Sequence, residues 1–338
     1  MTAGQGRAGS ALGAGGGDGA DGSEDPPADE FALLEATAAE HGLGWRGRPA
    51  VERRYVEVAG GRRLGAVVWG NPGAAEVVLL HGGMQSAHTW DAVALCLGRS
   101  AVALDLAGHG RSDPVDWLFD PQAHVDDLAV AIAALAPAAR LVAGMSLGGL
   151  SAVCLAARQP KMVAELVLVD ITPGVVPGGR RNPAMDELMG VASFASFSEA
   201  LDRVAAANPS RSRTALRLGL AHNLRRRDDG GWEWRAAHRA ASTRGVVGEP
   251  PYLAVWEDLG RVACPLTVVR GGRSGVVSDA DLAELQRRQP AARVVVVEGA
   301  GHSVQGSRPA ALATILAELL DRRAVEGAAG ATGRRTGT

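Results

Sequence analysis

The sequence predicts an α/β protein built on a mostly parallel sheet with helices on both faces. Short runs rich in Val and Leu alternate with helical patterns through most of the chain, as expected of buried parallel strands and their crossovers. The runs are bounded by Gly, Pro or Asp and are too short to be helices. Their spacing is regular except for one gap of almost a hundred residues, between Val169-Asp170 and Leu266. With 46% apolar and 21% charged residues over 338 positions, the chain has the material for a sizeable core.

In chain order, a hairpin is expected first, from Arg53–Val58 and Leu64–Trp69 around Ala59-Gly60-Gly61. Strands follow at Val77–Leu80, Ala101–Leu104, Leu141–Ala143, Leu166–Val169, Leu266–Val269 and Val294–Val297. Helical patterns lie between them at Thr89–Leu97, Ala123–Leu135, Leu147–Gln159, Asp279–Arg288 and Arg308–Arg322. The gap after Asp170 holds further helical stretches at Pro183–Val191, Phe197–Ala206 and Arg211–Leu224, then Gly231-Trp232-Glu233-Trp234. That is too long for a crossover loop, so a helical cap inserted over the sheet is expected. The predicted organisation is a disordered tail over 1–30, a core over 50–172 and 260–324, a cap over 173–259, and a second loose tail over 325–338. The first tail, dominated by Gly, Ala, Asp and Pro, cannot bury enough surface to offset its ordering entropy.

Composition narrows the function. A net charge of −2 and a pI near 6.5 give no bulk reason to expect nucleic acid or an acidic membrane surface as partner. No stretch of 18 apolar residues exists, and no basic start leads into an apolar run, so neither a membrane span nor a secretory signal is expected. Cys96, Cys154 and Cys264 have neither disulfide nor metal-ligand spacing and read as reduced thiols, which points to the cytoplasm. No metal or cofactor is implied, and nothing sets an oligomeric state.

The sharpest local pattern is Gly144-Met145-Ser146-Leu147-Gly148-Gly149, between a strand and a helix. A serine there sits on a strained turn that lifts its hydroxyl above the sheet, and glycines on either side avoid a clash. With 45 glycines in the chain the pattern is weak alone, and Ser146 also fits a plain helix N-cap. Its surroundings decide the matter. His81-Gly82-Gly83-Met84 follows the strand Val77–Leu80, so the N–H groups of Gly83 and Leu147 are expected to converge on an oxyanion. Asp105-Leu106-Ala107-Gly108-His109-Gly110-Arg111-Ser112 reads as a structural turn.

These residues resemble the α/β-hydrolase fold superfamily, and Gly231-Trp232-Glu233-Trp234 is similar to what many capped members carry. The likeness runs from about Tyr55 to Arg322. It implies an eight-stranded, mostly parallel sheet, a cap after strand six, and a Ser–acid–His triad in that chain order. His302, in Glu298-Gly299-Ala300-Gly301-His302-Ser303 after the last strand, takes the place of the family's catalytic histidine, the base a serine hydroxyl needs.

The acid departs from the usual pattern. Ser274 in Val269-Arg270-Gly271-Gly272-Arg273-Ser274-Gly275 occupies the slot after strand seven where most members carry Asp or Glu. Asp170, at the end of strand six, is the replacement expected, a position some members use; a turn aspartate is the other reading. Asp279 and Asp281 read as helix N-terminal residues. His81, Met84, Met145, Trp232 and Trp234 are expected at the substrate pocket. The Arg-rich run from Arg211 to Arg227 either meets an anionic substrate or forms a solvated helix face.

The expected function is hydrolysis of an ester, thioester or related acyl bond of a small molecule through an acyl-enzyme. Carbon–carbon bond hydrolysis, and a non-hydrolytic binder or cyclase using the same pocket, stay open as alternatives.

Overall fold

In a computed structural model, residues 25–71, 73–175, 187–188, 190–236 and 252–333 are described. The strands are β1 (Val51–Glu57), β2 (Arg63–Trp69), β3 (Val77–Leu80), β4 (Ala101–Leu104), β5 (Leu141–Met145), β6 (Glu165–Val169), β7 (Leu224–Arg226), β8 (Trp232–Trp234), β9 (Leu266–Gly271) and β10 (Arg293–Val297). The helices are α1 (Leu34–Glu40), α2 (Asp91–Leu97), α3 (Val125–Leu135), α4 (Leu147–Arg158), α5 (Phe197–Ala207), α6 (Arg213–Asn223), α7 (Val255–Arg261), α8 (Asp279–Arg288), α9 (Val304–Ser307) and α10 (Pro309–Gly333).

Eight strands form one sheet in the order β1-β2-β4-β3-β5-β6-β9-β10. Only β2 runs against the rest, pairing antiparallel with β1 and β4, while the other neighbours are parallel. The α/β reading, the hairpin and the central strands hold, with ends shifted by a residue or two. Both faces are covered, and the strand period of two sorts side chains between them. Val78 and Leu80 of β3 join the apolar layer that includes α3, α4 and α7, whereas Val77 and Leu79 join the one under α2 and α10. A strand buried on both faces must be apolar at every position, and that is why these runs were legible.

The segment between β6 and β9 carries a third apolar cluster of its own, in which Phe194, Phe197, Leu201, Leu220, Trp232 and Trp234 meet. It is built from α5, α6 and the β7–β8 hairpin. Ser196 and Ser212 cap the two helices by accepting N–H bonds from Glu199 and Ala215.

Three boundaries differ from expectation. The first tail does not extend to residue 30: Glu30 ion-pairs with Arg53 and Arg111, and Phe31 and Leu34 are buried, so ordered contacts begin before the hairpin. Residues 1–24 lie outside the described residues. At the other end the α10 backbone stays helical to Gly333, consistent with the alanine content of that stretch, and residues 334–338 are not described. The insertion also ends sooner than residue 259, because Val255, Trp256 and Leu259 of α7 pack in the sheet's own core. The helix expected over Pro183–Val191 falls largely outside the described residues.

Candidate active site

Sheet register brings the predicted residues to one edge. Met145, the last residue of β5, pairs with Val169, the last of β6. Ser146 and Asp170 are therefore the next residues off two adjacent parallel strands, and the Ser146 N–H donates to the Val169 carbonyl at 3.4 Å. Asp170 in turn is tied to β9, its N–H donating to the Val269 carbonyl at 2.8 Å.

The non-glycine residues with positive φ are Met84 (62°), Ser146 (50°) and Asp170 (52°) among those described. All three follow strands at this same edge, which is where strain held by surrounding structure tends to mark function. Ser146 begins α4, yet its side chain makes no capping bond. Its hydroxyl is thus free of the N-cap role, and the residue stays partly open to solvent. The elbow's glycines are demanded by contact: a Cβ on Gly148 would stand 2.5 Å from the His81 carbonyl oxygen and 2.6 Å from that of Leu80.

Asp170 is fully buried and its carboxylate accepts three hydrogen bonds. Oδ1 takes the Gly271 N–H at 2.8 Å, while Oδ2 takes the Ser274 hydroxyl at 2.5 Å and faces His302 Nδ1 at 2.8 Å. Ser274 in turn accepts the Val276 N–H at 3.2 Å. The residue in the usual acid slot thus donates to Asp170 on the neighbouring strand, a contact its sequence position did not announce. His302 is part-exposed, with 37% of its side chain accessible, and its Nε2 has no hydrogen-bond partner among the described residues. No direct hydrogen bond joins it to Ser146.

The loop after β3 packs directly on Ser146. A Cβ at Gly82 would lie 3.2 Å from the Ser146 Cβ, so this glycine permits the close approach. Gly82 N–H is taken by Gln85 Oε1 at 3.1 Å, whereas no hydrogen bond is made by the N–H of Gly83 or Leu147 among the described residues. Asp105, in the turn read as structural, anchors this loop. It accepts from the Ala87 N–H at 2.6 Å and the Arg111 N–H at 3.0 Å and pairs with Arg53 at 2.8 Å.

The expected pocket residues divide. His81 is not a pocket wall: it is fully buried, with Nδ1 donating to the Gly82 carbonyl at 2.7 Å and Nε2 accepting the Leu106 N–H at 3.0 Å. Burial holds its pKa below the ordinary value, which suits the neutral tautomer those two bonds require. Met145 is buried in the layer under α2 and α10. Met84 packs against the insertion's cluster, and Trp232 and Trp234 belong to that cluster. Trp232 also lines a cavity of about 300 Å³ between insertion and core, together with Ser86, His88, His222 and Arg235. Within the Arg-rich run, Arg213 pairs with Asp202, Arg225 with Glu233 and Arg227 with Asp229 at the surface. Asp281 closes a capping box with Ser278 at the start of α8, as its position suggested.

With this geometry in place, the comparisons with known proteins are specific. Residues 77–315 match the alpha/beta hydrolase family. The chain is 43% identical over 302 residues to the esterase Rv0045c of Mycobacterium tuberculosis, covering 87% of this chain and 97% of that protein. It is 30% identical over 229 residues to the 2-(acetamidomethylene)succinate hydrolase of Mesorhizobium japonicum, covering 66% of this chain and 78% of that one. A solved structure of the M. tuberculosis esterase, from work on its transition metal inhibition, aligns with a TM-score of 0.76 at 42% identity, covering 87% of this chain and 99% of that one. The chain belongs to the alpha/beta hydrolase family.

Proposed function

We propose that this chain is a serine esterase acting on a small-molecule acyl ester, with Ser146, His302 and Asp170 as its triad. The observation that carries the reading is the buried Asp170 carboxylate on His302 Nδ1, one strand away from a serine whose hydroxyl is not spent on capping. The esterase among its relatives agrees with it.

In this mechanism His302 Nε2 takes the proton of Ser146 as Oγ bonds to the acyl carbon. A rotation of the serine side chain brings Oγ to the imidazole, since such contacts commonly tighten only when substrate binds. The carbonyl π electrons move to oxygen, and the amides of Gly83 and Leu147 stabilise that charge. The imidazolium, held in its tautomer by Asp170, gives the proton to the departing alcohol. Water then repeats the sequence on the acyl-enzyme, releasing the acid and restoring Ser146. None of these steps calls for a cofactor. The insertion between β6 and β9 serves as a cap that walls the acyl pocket with Met84, Trp232 and Trp234. Free thiols at Cys96 and Cys154 fit a cytoplasmic enzyme. The transition metal inhibition named for the solved esterase extends, in this reading, to the present chain.

The test is a panel of p-nitrophenyl esters with a fluorophosphonate probe. Wild type is expected to hydrolyse short esters and to be labelled, and Ser146→Ala to lose both, with turnover down by about 10⁴-fold or more. Undiminished labelling of Ser146→Ala would remove this serine from the chemistry.

A further inference from the structure

One cluster near the loop after β3 is left unused by the serine mechanism. His88, in the turn before α2, and Asp91, the first residue of α2, meet His222, at the end of α6, across the seam between core and insertion. One donor atom from each lies within 4.8 Å of the others. The two imidazoles stack nearly parallel, with centroids 3.7 Å apart and planes at 14°.

Three features of this cluster are those of a ligand set. Asp91 is buried, and its Oδ1 has no hydrogen-bond partner, a costly state for a carboxylate oxygen. His222 has no hydrogen bond on either ring nitrogen among the described residues, so its donor atoms are not committed to another partner. The cavity of about 300 Å³ reaches both histidines, so an ion has a way in. Two imidazoles and a carboxylate suit Zn²⁺ and its first-row neighbours better than Mg²⁺ or Ca²⁺, which favour all-oxygen sites.

We propose that His88, Asp91 and His222 form a transition-metal site that bolts the insertion to the core beside the oxyanion loop. The ion enters where a proton now bridges His88 Nδ1 and Asp91 Oδ2, which are 2.8 Å apart, and that proton passes to solvent. Tetrahedral zinc with bonds of about 2.0–2.1 Å holds its donors roughly 3.3 Å apart, so to close the cluster one imidazole must turn out of the stack to aim its in-plane lone pair at the ion. Arg53 stands 3.2 Å from His88 Nε2, on the ring edge away from this position, and Glu30 lies 3.5 Å from the same nitrogen. The Glu30 carboxylate offsets the arginine charge and orients the ring, the arrangement by which outer carboxylates support metal-bound histidines. Ser86, two residues before His88, already bonds Asn223, next to His222, at 3.0 Å. A metal here therefore stiffens an existing junction between the insertion and the loop that bears Gly83. Metal binding does not require Ser146 to be the nucleophile; only the slowing of turnover rests on that reading.

The experiment titrates Zn²⁺ into the full chain by calorimetry and follows Co²⁺ by its visible absorption, in wild type and in Ser146→Ala. Both are expected to take up one equivalent, with the strong visible bands of tetrahedral Co²⁺, and Mg²⁺ to bind neither. His222→Gln, on a partly exposed helix end, is expected to keep the fold and weaken Zn²⁺ at least tenfold; Asp91→Asn should do the same, and His302→Ala should leave the affinity unchanged. In esterase assays, a Zn²⁺ concentration that halves wild-type turnover should spare His222→Gln. No stoichiometric uptake, undiminished affinity in His222→Gln, or loss of binding only in His302→Ala would each overturn the site. Uptake without slowing of wild type would overturn its link to turnover.

Discussion

Asp170 satisfies three donors at once, and only one of them is the histidine it would serve. The other two fix where the carboxylate points. Replacing Asp170 by Asn leaves an amide that cannot offset an imidazolium and presents the wrong donor to Nδ1. Asp170→Asn is expected to lower kcat by about 10³–10⁴-fold with KM little changed. Ser274→Ala removes one donor but leaves the Gly271 N–H and the charge in place, so kcat should fall by about tenfold. Steady-state kinetics on a p-nitrophenyl ester separate the two. Equal losses would mean that the hydroxyl, rather than the carboxylate, governs the histidine. Asp170 was legible in the sequence because it closes a Val/Leu run next to the elbow strand. The Ser274 hydroxyl was not, since its partner lies 104 positions away and no local pattern encodes that contact.

The β5–α4 elbow and α6 respond in opposite ways to the same substitution. At Gly148 a methyl group would press on two backbone carbonyls that cannot move without parting β3 from α4, so Gly148→Ala should cost about 2 kcal/mol or more. At Gly219, inside α6, nothing lies within 4 Å of the added Cβ. Gly219→Ala should therefore stabilise by about 0.5–1 kcal/mol through helix propensity alone. Urea unfolding of the two variants checks both signs, and a neutral Gly148→Ala would show that the elbow is looser than its contacts imply. The same contrast explains what could be read from sequence. Central strands were visible because burial on both faces forces a continuous apolar run, and the elbow because close backbone packing forces glycine. Helix α1 was missed: it is short, and what it buries is decided by α2, which lies more than fifty positions further on. The His88–Asp91–His222 cluster was missed for a related reason, as its third member arrives only through the insertion.

Across the whole molecule, one source of acid sensitivity is a set of histidines that the fold keeps neutral. His81, His109 and His124 are each fully buried, and burial is the leading cause that lowers the pKa of all three, to about 4 for His124. His124 also stands at the start of α3, where the positive end of the helix opposes a second positive charge. The unfolded chain binds a proton at each ring near pH 6.5, while the folded chain binds it only at lower pH, so folding releases protons in that window. The contribution of a lowered pKa is complete above about 6.5 and is lost as pH falls toward the folded value. For His124 the window spans pH 6.5 to about 4, worth about 3 kcal/mol in all. His124→Gln can keep the bond that His124 Nε2 makes to the Leu118 carbonyl at 3.2 Å, without a titrating group. Its stability, measured by urea unfolding at steps from pH 7 to pH 4.5, should fall about 1.4 kcal/mol per unit less steeply than wild type across the middle of that range. Parallel curves for the two proteins would mean that His124 takes up its proton without unfolding, and that acid sensitivity arises elsewhere in the chain.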